Sequence, residues 1–353
     1  MDAKGESPEV RNEKKKAKKK KKLKMLDVQA SPQDITHHAD SPVKQQMPSL
    51  FKVGMQEGWF IPHNDLQLEE KPFAAGTCAR IYRAKYHGLQ VVNAHLGSDP
   101  PQLFGQVCVK QVKDRGNDVN LKDFRREIAL WRGMRHPSIV QFIGASYDPD
   151  FGESIVMELM PGGDLAQKMK SGGLTKIHSI ETALSIAKAL AYLHGTKPYP
   201  VVHRDMKPEN IFFDQRGVAK LADMGLARIL PGKSGRRYQM TGKTGTMRYM
   251  APEVCRGDPY DETVDIYGLG LIFYYMISRE MPFKGYSRER RIEFAEARIP
   301  YSVPPSFRMD DDCKTFIQGC TQPHGHARPS SLECVAELEE VKQNASRSRC
   351  SVM

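Results

Sequence analysis

His203-Arg204-Asp205-Met206-Lys207-Pro208-Glu209-Asn210, followed thirteen residues after Asn210 by Asp223-Met224-Gly225, is the stretch around which the chain is organised. It combines a carboxylate able to take a proton from a hydroxyl, a lysine two positions on, and an amide and a second carboxylate that suit a hard divalent cation. That inventory serves phosphoryl transfer, which asks a protein mainly for positioning and charge stabilisation. The fixed spacing of His, Arg, Asp, Lys and Asn makes the motif specific; a polar surface loop between two strands has no need of it.

The motif resembles the catalytic loop of eukaryotic protein kinases, with Asp223-Met224-Gly225 at that family's metal-binding triplet. The resemblance covers about residues 58–340 and implies an α+β, two-lobed fold within residues 49–342. A small β-rich N-lobe with one key helix is expected at about 58–160, and a mainly helical C-lobe at about 161–342. By this likeness Asp205 is the general base or hydroxyl-orienting group, and Lys207 neutralises charge on the transferred phosphoryl. Asn210 and Asp223 are then ligands for Mg²⁺, and ATP is the cofactor. Met224 stands where the family usually has phenylalanine, and its adaptable apolar chain suits the same packing role. Lys207 with Pro208-Glu209 resembles serine/threonine kinases. The Trp59-Phe60-Ile61-Pro62 run resembles the Raf-like, tyrosine-kinase-like branch; by its own alternation, with Leu66-Gln67-Leu68, it reads as an edge strand where structure begins.

From Phe73 to Ile81 the family has three glycines and an aromatic tip. Here Ala74 and Ala79 replace the outer glycines, Cys78 replaces the aromatic residue, and Gly76 remains. The resemblance assigns Phe73, Gly76, Ile81 and Cys108 to nucleotide binding, and the departure bears on affinity and loop closure. Gly97, Pro100, Pro101 and Gly105 predict a long loop between Gly88 and Val107. Val107 to Val112 alternates like a strand, and Lys110 matches the family lysine that contacts the α and β phosphates. Phe124, Ile128 and Trp131 fall at i, i+4 and i+7, an inward helical stripe that also contains Glu127. A carboxylate facing a core is costly unless paired, so the pattern predicts a Lys110–Glu127 ion pair.

Ser154 to Met160 reads as a strand, and Pro161-Gly162-Gly163 as the lobe boundary. The likeness puts Met157 at the back of the adenine pocket and the backbones of Glu158 and Met160 on the adenine edge. Ile180, Ala183, Leu184, Ala187, Leu190 and Ala191 repeat with helical spacing ahead of the catalytic loop. The polar Leu226–Met250 segment matches an activation loop. There Arg204 would pair with a phosphate added by an upstream kinase, with Ser234, Tyr238, Thr241 and Thr244 as candidates and Thr241 and Thr244 preferred. Thr246 matches a hydroxyl that bonds the catalytic Asp and Lys. Glu253 in Ala251-Pro252-Glu253 is expected to pair with Arg328. Ile266 to Ile277 is apolar all round and predicts a buried helix, with Asp265 at its start bracing the catalytic loop.

Charge is uneven along the chain. Of the net +11, +7 falls within residues 1–24, mostly on Lys14 to Lys24, so basicity says little about the folded body. Residues 1–48 combine that tract with Ser7-Pro8, Ser31-Pro32 and Ser41-Pro42 and read as a disordered basic tail. The tract suits an anionic membrane or the nuclear import machinery; no sequence-specific nucleic acid is expected. Seven irregularly spaced cysteines argue against a disulfide framework and for a reducing compartment. The basic run is not followed by an apolar stretch, so no signal peptide is expected. Residues 343–353 read as a flexible tail ending in Cys350-Ser351-Val352-Met353, a farnesylation box at Cys350. The expected location is cytoplasmic with peripheral membrane attachment, the nucleus being the alternative. The implied activity is transfer of the γ-phosphoryl of ATP to serine or threonine of protein substrates. A pseudokinase scaffold, suggested by the thinned glycine loop, and a dual-specificity kinase stay open.

Overall fold

The structure is a computed structural model, and it describes residues 47–76, 79–87, 105–113, 118–229, 246–305, 307 and 309–350. Lys14 to Lys24, the Ser-Pro pairs, Cys78, most of the loop expected after Gly88, Ser234, Tyr238, Thr241 and Thr244 lie outside the described residues, as do the side chains of Thr246 and Cys350.

Alternating apolar residues build the first half of the described chain into an antiparallel sheet. Its strands are β1 (Leu66–Leu68), β2 (Ala74–Ala75), β3 (Ala79–Tyr86), β4 (Gln106–Val112), β5 (Phe142–Asp148) and β6 (Gly152–Glu158). They run in the order β1-β3-β4-β6-β5, with β2 paired to β3. The period of two in β4 sends Val107 and Val109 into an outer cluster with Ile61, Leu66, Ile143 and Val156. Cys108 and Val112 face the main core, and Lys110 shares that face. One helix, Asp118–Trp131, packs there, with Phe124, Ile128 and Trp131 buried as the stripe predicts. Trp131 Nε1 donates to the Val140 carbonyl at 2.9 Å, which fixes the helix end.

Structure starts earlier than the sequence suggests. A helix over Ser49–Glu57 precedes Trp59, and its chain reverses at Gly58, where φ is +75°. Trp59 folds back beneath it: a Cβ at Gly54 would sit 2.7 Å from the indole, and one at Gly144 would sit 2.5 Å from the Trp59 carbonyl. The expected edge strand over Trp59–Pro62 is absent. Phe60 makes one parallel bridge to Ala145 and Ile61 N–H one bond to the Ala145 carbonyl, after which Pro62 has no N–H to continue a ladder. In sequence order we call Ser49–Glu57 α1 and Asp118–Trp131 α2. Arg132, just past α2, stacks on Trp59 at 5.7 Å and pairs with Glu57, so α1 is tied to the end of α2. Trp59 is 7% exposed, and Trp59→Ala is expected to cost about 3–5 kcal/mol, read as a lowered urea midpoint at unchanged slope.

The second half is mainly helical: α3 (Leu165–Lys170), α4 (Lys176–His194), α5 (Pro252–Arg256), α6 (Thr263–Ser278), α7 (Arg288–Glu296), α8 (Asp311–Cys320) and α9 (Ser331–Cys350). Short strands β7 (Val201–Val202), β8 (Ile211–Phe213), β9 (Ala219–Leu221) and β10 (Arg228–Ile229) lie between α4 and α5. Every residue of α6 from Val264 to Met276 is buried, in keeping with its all-round apolar sequence. At the chain's end α9 runs through Cys350, past the boundary expected at 342. No glycine or proline interrupts Gln343 to Cys350, and Asn344 donates to Asp312 at 2.9 Å.

Candidate active site

The β8–β9 hairpin explains how Asn210 and Asp223 meet although thirteen residues separate them. Ile211 pairs with Leu221, and the Ala222 N–H donates to the Asn210 carbonyl at 2.9 Å, so the flanking residues emerge side by side. Ahead of the hairpin, the loop is braced from below. Asp265, buried at the start of α6, accepts from the His203 N–H at 2.7 Å, the Arg204 N–H at 2.8 Å and His194 Nε2 at 3.0 Å. Burial works against this carboxylate, but the bonds from His194 and the Arg204 N–H hold it below its ordinary range. The brace opposes real strain: Arg204 and Asp223 have φ of 70° and 63°, a region disfavoured for residues with a Cβ.

Inside the loop, polar contacts fix the groups around Asp205. His203 Nδ1 accepts from the Asp205 N–H at 3.3 Å while Nε2 bonds the Ala222 carbonyl at 3.0 Å, tying the loop to the residue before Asp223. Asp205 Oδ2 accepts from Lys207 Nζ at 2.5 Å and from Asn210 Nδ2 at 2.9 Å. Asp205 Oδ1 is buried and has no hydrogen-bond partner among the described residues. An ionised oxygen in that position is costly unless an incoming donor satisfies it, and a hydroxyl is such a donor.

Lys110 reaches across from β4. Its Nζ bonds both oxygens of Glu127 at 2.8 and 2.9 Å and Asp223 Oδ1 at 3.0 Å, so the ion pair expected from periodicity forms and extends to Asp223. The two carboxylates share one ammonium unequally. Lys110 holds Asp223 well below the usual range, whereas burial, with help from the Asp223 charge, pushes Glu127 up to about 7. The raised group binds protons in the folded state that the unfolded chain has released, so its contribution to stability is present at low pH and lost as pH rises through about 7. Urea midpoints from pH 5 to 8 are therefore expected to fall more steeply for the wild type than for Glu127→Gln.

A cleft of about 1050 Å³ opens between the sheet and the hairpin, at the upper end of the roughly 300–1,000 Å³ usual for ligand sites. Phe73, Ile81, Cys108, Lys110 and Met157 line it on the sheet side. Glu158, Met160, Asn210 and Asp223 line it at the hinge and floor. Glu158 spends its carboxylate on Lys220, at 2.7 and 2.8 Å, and on the Gln141 N–H, which suits a role for its backbone. Gly76 stands off the lining; its N–H bonds the Ala79 carbonyl and its own carbonyl accepts from Lys113 Nζ at 2.5 Å. Sequence reasoning missed Phe212 and Ala222 on the floor. The signal for Phe212 was present, since its neighbours Ile211 and Phe213 are buried and a period of two turns Phe212 the other way.

The residues fit a nucleoside triphosphate with a divalent metal ion. A hard cation selects oxygen donors, and Asn210 and Asp223 supply an amide and a carboxylate facing a cleft that a cation, Lys110, also lines. On the far side, Arg328 joins Glu253 through bonds of 2.6 and 2.8 Å, as expected.

Comparison with known proteins agrees with this geometry. The sequence profile of the protein kinase domain matches residues 104–338. Serine/threonine-protein kinase VIK of Arabidopsis thaliana is 32% identical over 288 residues, 79% of this chain and 63% of that protein. Serine/threonine-protein kinase 12 from the same plant is 34% identical over 248 residues, 69% of this chain and 53% of the relative. Its serine/threonine-protein kinase STY17 is 30% identical over 311 residues, 86% of this chain and 49% of the relative. The chain thus spans about half to two thirds of the length of these relatives. A lysine clamped by two carboxylates, a strained loop carrying Asp205 and Asn210, and a profile match over most of the chain lead to one assignment: this chain belongs to the protein kinase family.

Proposed function

We propose that the chain transfers the γ-phosphoryl group of ATP, held with Mg²⁺, to serine or threonine hydroxyls of protein substrates, in the manner of a Raf-like serine/threonine kinase. The observation that carries this reading is the buried Oδ1 of Asp205, unpartnered among the described residues, on a carboxylate fixed through Oδ2 to Lys207 and Asn210. Asp205 orients the acceptor hydroxyl and takes its proton. Lys207 holds positive charge at the same carboxylate, beside the position where negative charge builds during transfer. Lys110 is aimed by Glu127, and Asn210 and Asp223 present the oxygens that would hold the metal. The bound metal nucleotide supplies the electrophilic phosphoryl group and screens its charge.

Phosphorylation of a degenerate peptide library by the purified chain with labelled ATP and Mg²⁺ tests this. The expected result is labelled phosphoserine and phosphothreonine. Label on phosphotyrosine alone overturns the residue class. Absence of label together with nucleotide binding supports a scaffold instead.

A further inference from the structure

Helix α2 carries two carboxylates one turn apart, and each holds a different cation. Glu127 takes Lys110. Four residues earlier, Asp123 takes Arg228 of β10, whose Nη2 donates to Asp123 Oδ1 at 3.2 Å. The Arg228 side chain is only 19% exposed, and its Nη1 also donates to the carbonyl of Ala227 at 2.8 Å and to that of Gly225 at 3.4 Å. Its backbone pairs with Val202, the residue before His203. Arg228 therefore touches the strand that feeds the catalytic loop, the turn that follows Asp223, and the helix that carries Glu127.

These attachments matter because the Lys110 ammonium must reach Glu127 and Asp223 together. That requires α2 and the Asp223-Met224-Gly225 turn to keep a fixed separation. The two elements come close there: a Cβ at Gly225 would lie 3.5 Å from Glu127 Oε2. Asp123 also accepts from Arg126 at 2.8 Å, but Arg126 is on the same helix and anchors nothing outside it. The contact with Arg228 is the one that spans elements.

We propose that Asp123 and Arg228 are a positioning pair that sets the height of α2 over the Asp223 turn, so that Glu127 and Asp223 share Lys110. Neither residue lines the cleft. This inference rests on the kinase reading and adds to it a second tie between α2 and the segment that follows Asp223.

A double-mutant cycle tests it, using steady-state kinetics with peptide and varied ATP. Asp123→Ala and Arg228→Ala are each expected to lower kcat/KM for ATP about fivefold, and the double variant to be no worse than either single one. Arg228→Lys is expected to recover part of the loss, KM for the peptide to stay unchanged, and the melting temperature to move little. Single variants within twofold of an active wild type, or losses that multiply in the double variant, overturn the pair's role alone. An inactive wild type overturns the kinase reading and this role with it.

Discussion

Asp205→Asn is expected to lower kcat for phosphoryl transfer by about 10²–10⁴-fold, the range that general acid–base groups contribute, while nucleotide binding stays within about twofold of wild type. The reason lies in how the two carboxylate oxygens are used. Lys207 and Asn210 both donate to Oδ2, and Oδ1 has no partner among the described residues. An amide has the same shape but only one acceptor oxygen. That oxygen must turn toward the two standing donors, which leaves the NH₂ group where the acceptor hydroxyl brings its proton. The NH₂ group can only donate to the hydroxyl oxygen, so the hydroxyl is turned the wrong way round and its proton has no acceptor. Because Asp205 does not line the cleft itself, the nucleotide surroundings at Lys110, Asn210 and Asp223 remain. Steady-state kinetics beside titration with a non-hydrolysable nucleotide separates the two effects. A kcat within threefold of wild type removes Asp205 from the chemistry; a loss of binding equal to the loss of rate shows a collapsed site.

What was legible in the sequence follows from how local the causes are. The Lys110–Glu127 pair was legible because a helical stripe forces a carboxylate inward and only a cation relieves it. The buried α6 and the alternation of β4 were equally plain, since burial pattern is written in a few adjacent residues. Helix α1 was hidden. Its nine residues include Gly54, a poor helix former, and it is stabilised by the Trp59 ring that folds back against that glycine. The extension of α9 was obscured by polar residues that give no stripe, although nothing in them stops a helix. Asp123 and Arg228 are 105 residues apart and each is ordinary in its own segment, so no local pattern joins them. The thinned glycine loop reads less severely in the structure than in the sequence. Ala74 and Ala79 sit in β2 and β3, in extended backbone that needs no glycine.

A stability effect as large as that at Trp59 is expected at the other end of the site, where Arg328→Ala should cost about 3–5 kcal/mol, the loss that follows when one partner of a buried ion pair is removed. Exposed pairs in this chain, such as Lys284 with Glu280, belong to a different and weaker class. Arg328 has no exposed side-chain surface, and its guanidinium lies 4.9 Å from the centre of the Tyr267 ring. Besides Glu253 it donates to the carbonyls of Gln322 at 2.8 Å, Thr263 at 3.0 Å and Pro323 at 3.5 Å. Removing it strands a carboxylate and three carbonyls together. Removing Glu253 instead leaves the guanidinium with those carbonyls still in place, so Glu253→Ala should be the milder change. This ordering separates a buried hub from a simple pair, in which either truncation costs about the same. Both variants are expected to loosen α5, which follows the Thr246–Tyr249 turn and lies off the cleft lining, so KM for ATP should change little. Urea titration of the two single variants decides the matter: a loss below about 1 kcal/mol for Arg328→Ala places the pair in the exposed class, and a larger loss for Glu253→Ala shows that the carboxylate, not the guanidinium, is the hub.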